Sequence, residues 1–175
     1  MTVTSRRIIR GEAELYRQTR LAVLLDAPAA FSTSYAEALK RSPQEWREQA
    51  EQAAESPDRA IFFLFDGDLP VGMAGLYRDP DQSACGELIQ VWVEPEYRAK
   101  GVAADLLEAT LAWAGTNSFL AIRAGVTAGN SRALAFYRKC GFTLVAEPAD
   151  DDQAKYILEI ATGGQAGGGP TSLLA

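Results

Sequence analysis

The chain has 175 residues, of which 47% are apolar and 23% are charged, a balance typical of one globular domain large enough to bury a core. Its 17 basic and 23 acidic residues give a net charge of −6, which argues against nucleic acid as a partner because such binding depends on neutralising phosphates. No histidine is present, so histidine-assisted nucleophiles and histidine metal ligands are excluded. The two cysteines, Cys85 and Cys140, fit neither a disulfide framework nor a metal site, and we predict no bound metal.

The sequence contains no apolar run long enough to cross a membrane, and its first residues lack the apolar segment of a signal peptide. We therefore expect a cytoplasmic protein that does not bind membranes. Residues 1–162 are predicted to form a single domain. Residues 163–175 are rich in glycine and are predicted to form a disordered tail.

The first half of the chain predicts a strand and two helices. Residues 3–10 alternate loosely as in a strand, and from Glu12 to Pro28 apolar residues recur at helical spacing. The predicted apolar face of this helix comprises Leu15, Thr19, Ala22 and Leu25. A second helix is predicted from Ser42, which is followed by Pro43 and Glu45 in the pattern of a capping box. Its predicted buried face comprises Trp46, Ala50 and Ala53.

The second half predicts strands around two further helices. Residues 60–65 and 69–77 form a hairpin around Gly67, a polar loop follows at 78–85, and residues 87–93 form the next strand. A helix over residues 102–117 has the apolar stripe Val102, Leu106, Leu107, Thr110, Leu111 and Ala114. A strand at 120–126, a helix at 130–140 ended by Gly141, and strands at 142–146 and 155–160 around an acidic loop complete the order. This order, β-α-α-β-β-β-α-β-α-β-β, predicts an α/β fold with a mixed sheet and helices on both faces.

The segment from Arg98 to Ala103 joins a predicted strand to a predicted helix. Backbone N–H groups at a helix N-terminus are unpaired and carry partial positive charge, and small residues at Gly101 and Ala103 let an anion approach them. The alternative is an ordinary turn in which Gly101 only supplies backbone freedom. Because the segment matches neither a dinucleotide fingerprint nor a P-loop, it predicts a phosphate site of another type.

A second pattern lies in the last predicted helix. Asn130 stands at its start, Tyr137 follows seven residues later, and Gly141 and Phe142 come directly after it. Each residue also has a structural explanation: Asn130 as a helix cap, Gly141 as a C-terminal cap and Tyr137 as a packed aromatic residue.

Together the two patterns resemble the GNAT acetyltransferase superfamily, which transfers an acyl group from acyl-CoA to an amine. Arg98, Gly101 and Ala103 match its central Arg/Gln-x-x-Gly-x-Gly/Ala motif, and Asn130 with Tyr137 match its later motif. The resemblance covers residues 3–160 and implies a GNAT-like fold with a mostly antiparallel sheet of about seven strands and helices on both faces. It implies acetyl-CoA as the co-substrate and direct attack by a primary amine in a ternary complex.

The resemblance also assigns roles to individual residues. Val91 and Val93 would pair through their backbones with the pantetheine arm, the loop N–H groups would hold the pyrophosphate, and Asn130 and Tyr137 would contact the cofactor. The implied cofactor-binding set is Val91, Trp92, Val93, Arg98, Ala99, Lys100, Gly101, Val102, Ala103, Ala104, Asn130 and Tyr137. Tyr137 would stabilise the leaving thiolate. Glu87 is the predicted base, or one end of a water relay, and the alternative is an exposed carboxylate without a role.

The acceptor is expected to bind beside the first two helices and the final hairpin, with Phe31, Ser34, Tyr35 and Glu37 as candidate contacts. A protein N-terminus, a lysine, a polyamine and an antibiotic all remain open as the amine. Two other classes are also open: a non-catalytic acyl-CoA-binding regulatory module, and a nucleotide-phosphate binder, which the lack of a phosphate-loop lysine disfavours. Family analogy also allows a homodimer.

Overall fold

A computed structural model describes residues 2–148 and 155–163. The strands are β1 (Val3–Arg7), β2 (Arg59–Asp66), β3 (Leu69–Arg78), β4 (Cys85–Val93), β5 (Ala121–Thr127), β6 (Thr143–Ala146) and β7 (Lys155–Ala161). The helices are α1 (Ala13–Asp26), α2 (Tyr35–Leu39), α3 (Pro43–Glu55), α4 (Val102–Thr116) and α5 (Ser131–Lys139), with 3-10 turns at Pro28–Ala30 and Pro95–Tyr97. The predicted order of elements is confirmed, apart from α2 and the two turns. Most of the predicted acidic loop and nearly all of the glycine-rich tail lie outside the described residues.

The strands form one sheet in the order β1-β2-β3-β4-β5-β7-β6. All of its neighbouring strands are antiparallel except β4 and β5, which run parallel. The connection between these two strands is α4, as expected because a parallel crossover needs a helix-sized link. The predicted α/β fold with a mixed, mostly antiparallel sheet is confirmed.

Helices cover both faces of the sheet, so its central strands are buried on both sides. The side chains of β2 alternate between two clusters: Ile61, Phe63 and Phe65 pack with α1 and α3, whereas Phe62 and Leu64 pack with α4. This explains why β2 is an uninterrupted apolar run rather than an alternating one. On α4 the predicted stripe is buried, with Leu111 only partly so.

The two helices that follow α1 begin at capping boxes. At α3 the Ser42 hydroxyl accepts a hydrogen bond from the Glu45 N–H and the Glu45 carboxylate accepts one from the Ser42 N–H, as predicted. Ser34 and Glu37 make the same reciprocal pair at the start of α2. The sequence signal for α2, a Ser followed three residues later by Glu, was present but was not used to predict a helix.

The predicted apolar face of α1 is correct at Thr19, which is buried, and wrong toward the end of the helix. The helix also buries Tyr16, Arg20, Val23 and Leu24, whereas Leu25 is 62% exposed. One residue corresponds to a rotation of roughly 100° around a helix, so a small error in choosing the face exposes residues assigned to the core.

A bulge in β4 and an early end to its pairing with β5 open a cleft in the sheet. Gln90 has a φ of +57°, and the β3–β4 register shifts around it. Pairing with β5 covers only Cys85 to Leu88, opposite Ala121 to Ala124, although β4 continues to Val93 and β5 to Thr127. The second half of β4 therefore presents a backbone edge that β5 does not cover.

Candidate cofactor and acceptor site

The loop between β4 and α4 has the backbone geometry of an anion site. Ala99 and Gly101 both have positive φ, +60° and +80°, and Gly101 directly precedes the first turn of α4. Within the described residues, the N–H groups of Ala99, Lys100, Gly101, Val102 and Ala103 make no hydrogen bond to a backbone or side-chain acceptor. Successive unpaired N–H groups at a helix start form a concave site that favours negative charge.

The Arg98 side chain is bonded to the end of α1 through an acid that the sequence did not indicate. The Arg98 Nε donates to the Val93 carbonyl at 2.8 Å, and its terminal nitrogen bonds the Asp26 carboxylate. The same Asp26 oxygen accepts a hydrogen bond from the Trp92 indole at 2.8 Å. These partners, led by the Trp92 hydrogen bond, lower the pKa of Asp26. The end of α1 is thus tied to both β4 and the loop.

A cavity of about 780 Å³ opens between the loop, the uncovered edge of β4 and α5. Its lining includes most of the predicted cofactor-binding residues: Val91, Trp92, Val93, Arg98, Ala99, Gly101, Ala103, Ala104 and Asn130. Three predicted residues do not line it: Val102 is buried in the core, Lys100 lies outside with its ammonium 5.5 Å from the Tyr97 ring centroid, and Tyr137 is buried in α5.

The cavity is also lined by residues that sequence reasoning missed: Ala27, Ala30, Tyr97, Arg132, Ala133, Phe136, Lys139 and Cys140. Ala133, Phe136 and Cys140 follow a helical core pattern, and each is half-buried against the core while also reaching the cavity. Arg132 and Lys139 bring positive charge to this lining. Both lie on the exposed side of α5, and nothing in the sequence indicated that they would line a cavity.

Asn130 and Tyr137 occupy the two ends of α5. The Asn130 side chain caps the helix by accepting from the Ala133 N–H at 3.1 Å. The Tyr137 ring is buried between Phe136 and Phe142, with ring centroids 5.3 and 5.2 Å away. Burial raises the pKa of the Tyr137 phenol far above its usual range, so the group stays protonated. Its hydroxyl makes no hydrogen bond within the described residues, and Tyr137 is not among the residues that line the cavity.

Glu87 belongs to a polar row that crosses the sheet. It lies opposite Tyr77 on β3 and Arg123 on β5, and Arg123 in turn lies opposite Glu159 on β7. The Arg123 Nε and the Glu159 carboxylate are 2.9 Å apart. Burial raises the pKa of Glu87, and Arg123 opposes part of that rise. Directly opposed residues point to the same face, so these side chains form one continuous surface.

Of the four predicted acceptor contacts, Phe31 alone is among the lining residues of the large cavity. Ser34 and Glu37 are engaged in the α2 capping box, and Tyr35 packs against the core that α1 and α3 share. In the part of the chain that the structure describes, no group of acidic, cysteine or histidine side chains could hold a metal ion. Among those residues there is also no helix with the length and apolar character of a membrane span.

Residues 25–142 match the sequence profile of the Acetyltransferase (GNAT) family. The chain belongs to this family, as its two motifs indicated.

A protein of similar sequence is described as an N-acetyltransferase, in agreement with this family. Over 88 residues the chain is 36% identical to an "Uncharacterized N-acetyltransferase" of Mycobacterium tuberculosis. That match covers 50% of the chain and 55% of the relative, so the chain spans about half the length of the curated relatives it matches.

Solved structures share the fold. A GNAT acetyltransferase from Streptococcus pneumoniae superposes with a TM-score of 0.79 at 18% identity, covering 93% of this chain and 100% of that one. Spermidine N-acetyltransferase from Vibrio cholerae, in complex with CoA and spermine, gives a TM-score of 0.72 at 18% identity, over 93% of this chain and 96% of that one.

Proposed function

We propose that this protein is an N-acetyltransferase that transfers the acetyl group of acetyl-CoA to a primary amine in a ternary complex. The observation that carries the proposal is the run of five unbonded N–H groups from Ala99 to Ala103 at the start of α4. This run adjoins a cavity large enough for an extended ligand, and it suits a pyrophosphate. Membership of the GNAT family supports the same function.

The cleft residues fit acetyl-CoA in three ways. The backbone groups of Val91 and Val93 would pair with the amides of the pantetheine arm, because β5 does not cover this edge of β4. The loop N–H groups would hold the pyrophosphate, and Arg132 and Lys139 would add positive charge near the phosphates. Arg98 would act by holding the loop in shape, since its guanidinium is already bonded to Val93 and Asp26.

The amine must lose a proton before it attacks the thioester. With a pKa of ~10.4, about one alkylamine molecule in a thousand is neutral at pH 7. We propose that Glu87 accepts this proton, directly or through water, since burial raises the pKa of its carboxyl and makes it a stronger base than an exposed glutamate. The neighbouring Arg123 keeps the ionised form of Glu87 accessible.

Tyr137 would donate a hydrogen bond to the sulfur as the thioester opens. Full proton transfer from an ordinary phenol near pKa 10 to a thiolate near 8.5 is uphill by ~2 kcal/mol. The raised pKa of the buried Tyr137 makes that transfer less favourable still. Stabilising the developing charge by a hydrogen bond, with the proton kept on the phenol, is therefore the role that suits this residue.

Two measurements test the proposal. Calorimetry with acetyl-CoA should give saturable one-to-one binding, and a screen of amines that detects the free CoA thiol should identify at least one acceptor. Absence of acetyl-CoA binding would refute the proposal. Binding without transfer to any amine would favour the non-catalytic acyl-CoA-binding module.

A variant tests the catalytic part. Tyr137→Phe is expected to lower kcat by roughly 100- to 1,000-fold, the loss typical of one donor to a developing charge, while the affinity for acetyl-CoA stays within about threefold. Tyr156→Phe is the matched control, because Tyr156 is a half-buried phenol packed at the edge of the same hydrophobic cluster. Equal kcat values for Tyr137→Phe and the wild type would remove Tyr137 from the mechanism.

A further inference from the structure

Arg20, on α1, is a buried guanidinium that has no counter-ion among the described residues. The residue is 4% exposed, and its Nε and Nη1 atoms are enclosed. No acceptor within the described residues bonds any of its nitrogens. The guanidinium instead stacks on an aromatic ring, with its central carbon 4.6 Å from the centroid of the Phe31 ring. Nη2 is not among the enclosed atoms, so this edge of the guanidinium is the one a ligand could reach.

The surroundings of Arg20 supply more donors rather than an acid. The Thr19 hydroxyl and the Trp46 indole N–H are also buried without a partner in the described chain. Arg41 stacks over Trp46 at 5.0 Å, and its charge, after burial itself, is among the causes that lower the pKa of Arg20. The acids in the first turns of α2 and α3, Glu37 and Glu45, are occupied in the two capping boxes.

An arrangement of this kind is costly unless a ligand completes it. A buried charge without a partner carries a desolvation penalty, and a cation–π contact offsets only part of it. Buried arginines are therefore normally paired with a carboxylate. Within the described residues, the α1–α3 interface offers donors for such a group, and the Gln49 side-chain oxygen there already accepts hydrogen bonds from Tyr16 and Arg41.

The position of Arg20 connects it to the candidate site. Phe31, which stacks on the guanidinium, also lines the large cavity together with Ala27 and Ala30. The segment that carries these three residues follows α1 directly. Arg20 itself does not line the cavity, so a molecule beside this segment would reach it by displacing the Phe31 ring.

We propose that Arg20 binds a carboxylate of the acceptor, and that the acceptor is therefore an amino acid or another amine that carries a carboxylate. The inference rests on the proposed acetyltransferase function and narrows its substrate class. The planar guanidinium offers paired N–H donors in the geometry that a carboxylate accepts. Binding would give the buried charge the partner that the described chain lacks. Polyamines, which bring only positive charge, would be poor acceptors at this site.

The test compares acceptors that differ only in the carboxylate: lysine with cadaverine, methionine with methioninamide, and phenylalanine with phenethylamine. For the wild type we expect kcat/KM to favour the carboxylate member by roughly tenfold or more, the scale of one charge-assisted pair. Arg20→Gln should lose most of that preference and keep its affinity for acetyl-CoA. Arg17→Gln, which removes an α1 arginine paired with Glu14 at the surface, should behave as the wild type.

Stability and product binding provide readouts that do not depend on turnover. If Arg20 has no partner in the free protein, Arg20→Gln should leave Tm unchanged or raise it, because a desolvated charge is removed. Calorimetry of N-acetylmethionine and N-acetylmethioninamide with the CoA-loaded protein should show that the wild type prefers the carboxylate and that Arg20→Gln does not.

The outcomes separate the inference from the function it rests on. Transfer with a preference for cadaverine or the amides would overturn the inference and leave the acetyltransferase proposal intact. A carboxylate preference retained in Arg20→Gln, or a Tm lowered by several degrees in that variant, would overturn it as well. Absence of acetyl-CoA binding would refute the proposed function itself.

Discussion

The loop at the start of α4 provides the sharpest test of the cofactor site, through Gly101→Ala. Gly101 has a φ of +80°, and a Cβ built there meets no atom within 4 Å. The substitution therefore creates no clash and acts through the backbone alone. An L-residue pays roughly 1–2 kcal/mol to stay in the left-handed region, so the loop either keeps its shape under strain or rotates out of it.

Each alternative has a magnitude. Rotation would turn at least one N–H away from the proposed pyrophosphate, and a hydrogen bond to a charged group contributes about 1.5–3 kcal/mol, so the affinity for acetyl-CoA should fall roughly 10- to 100-fold. Retained geometry would cost stability instead, lowering Tm by about 2–4 °C per kcal/mol for a chain of this size. Calorimetry and thermal unfolding measure the two effects separately.

Gly11→Ala is the matched control. Gly11 has a φ of +91°, an added Cβ there also meets no atom within 4 Å, and the residue lies between β1 and α1 outside the cavity lining. It should show the same loss of stability with no change in acetyl-CoA affinity. If Gly101→Ala keeps both the stability and the acetyl-CoA affinity of the wild type, the loop has rotated without any loss of binding, and it does not hold the phosphates.

Three further predictions concern the surroundings of this loop. Asp26→Asn keeps an acceptor for the Trp92 indole but loses the charge that binds Arg98, so the KM for acetyl-CoA should rise several-fold with kcat nearly unchanged. The control Asp58→Asn, which breaks the Asp58–Arg78 ion pair elsewhere in the protein, should leave KM and kcat as they are. Because burial raises the pKa of Glu87, ionising its carboxyl costs stability as the pH rises through that pKa, and Glu87→Gln should therefore raise Tm slightly at neutral pH. The same variant should lower kcat and remove the acidic limb of the pH–rate profile, whereas an unchanged limb would exclude Glu87 as the base. In Gly86→Ala the new Cβ would lie 2.7 Å from a carbon of the Phe119 ring, so chemical denaturation should show a loss of about 1–3 kcal/mol, and a neutral result would mean that β4 and Phe119 can move apart.

Much of the fold could be predicted because its signals are local. A capping box involves residues three apart, helical spacing repeats within two turns, and the hairpin around Gly67 needs only its turn and its two apolar strands. The loop from Arg98 to Ala103 belongs to the same group, since its position between a strand and a helix is readable from adjacent residues. These signals predicted the order of elements correctly.

The errors arose where local signals conflict with packing. The spacing of apolar residues predicts a face of α1 that does not include Arg20, yet Arg20 is buried against Phe31. Ser34 and Glu37 were considered as acceptor contacts, whereas they form a capping box whose signal is identical to the one recognised at Ser42. In both cases the prediction relied on the chemical type of the side chain and not on its position in the helix.

The sequence by itself determined that this chain forms a mixed sheet with a phosphate-suited loop at the start of a helix, because those features depend on residues that are neighbours along the chain. Only the tertiary structure decided that Asp26, 72 residues before Arg98, binds the guanidinium of that arginine. It also decided that Glu87 belongs to a row reaching Glu159, and that no acid of the described chain pairs with the enclosed Arg20. Contacts between distant residues depend on how whole elements pack, and composition and spacing carry no record of that packing.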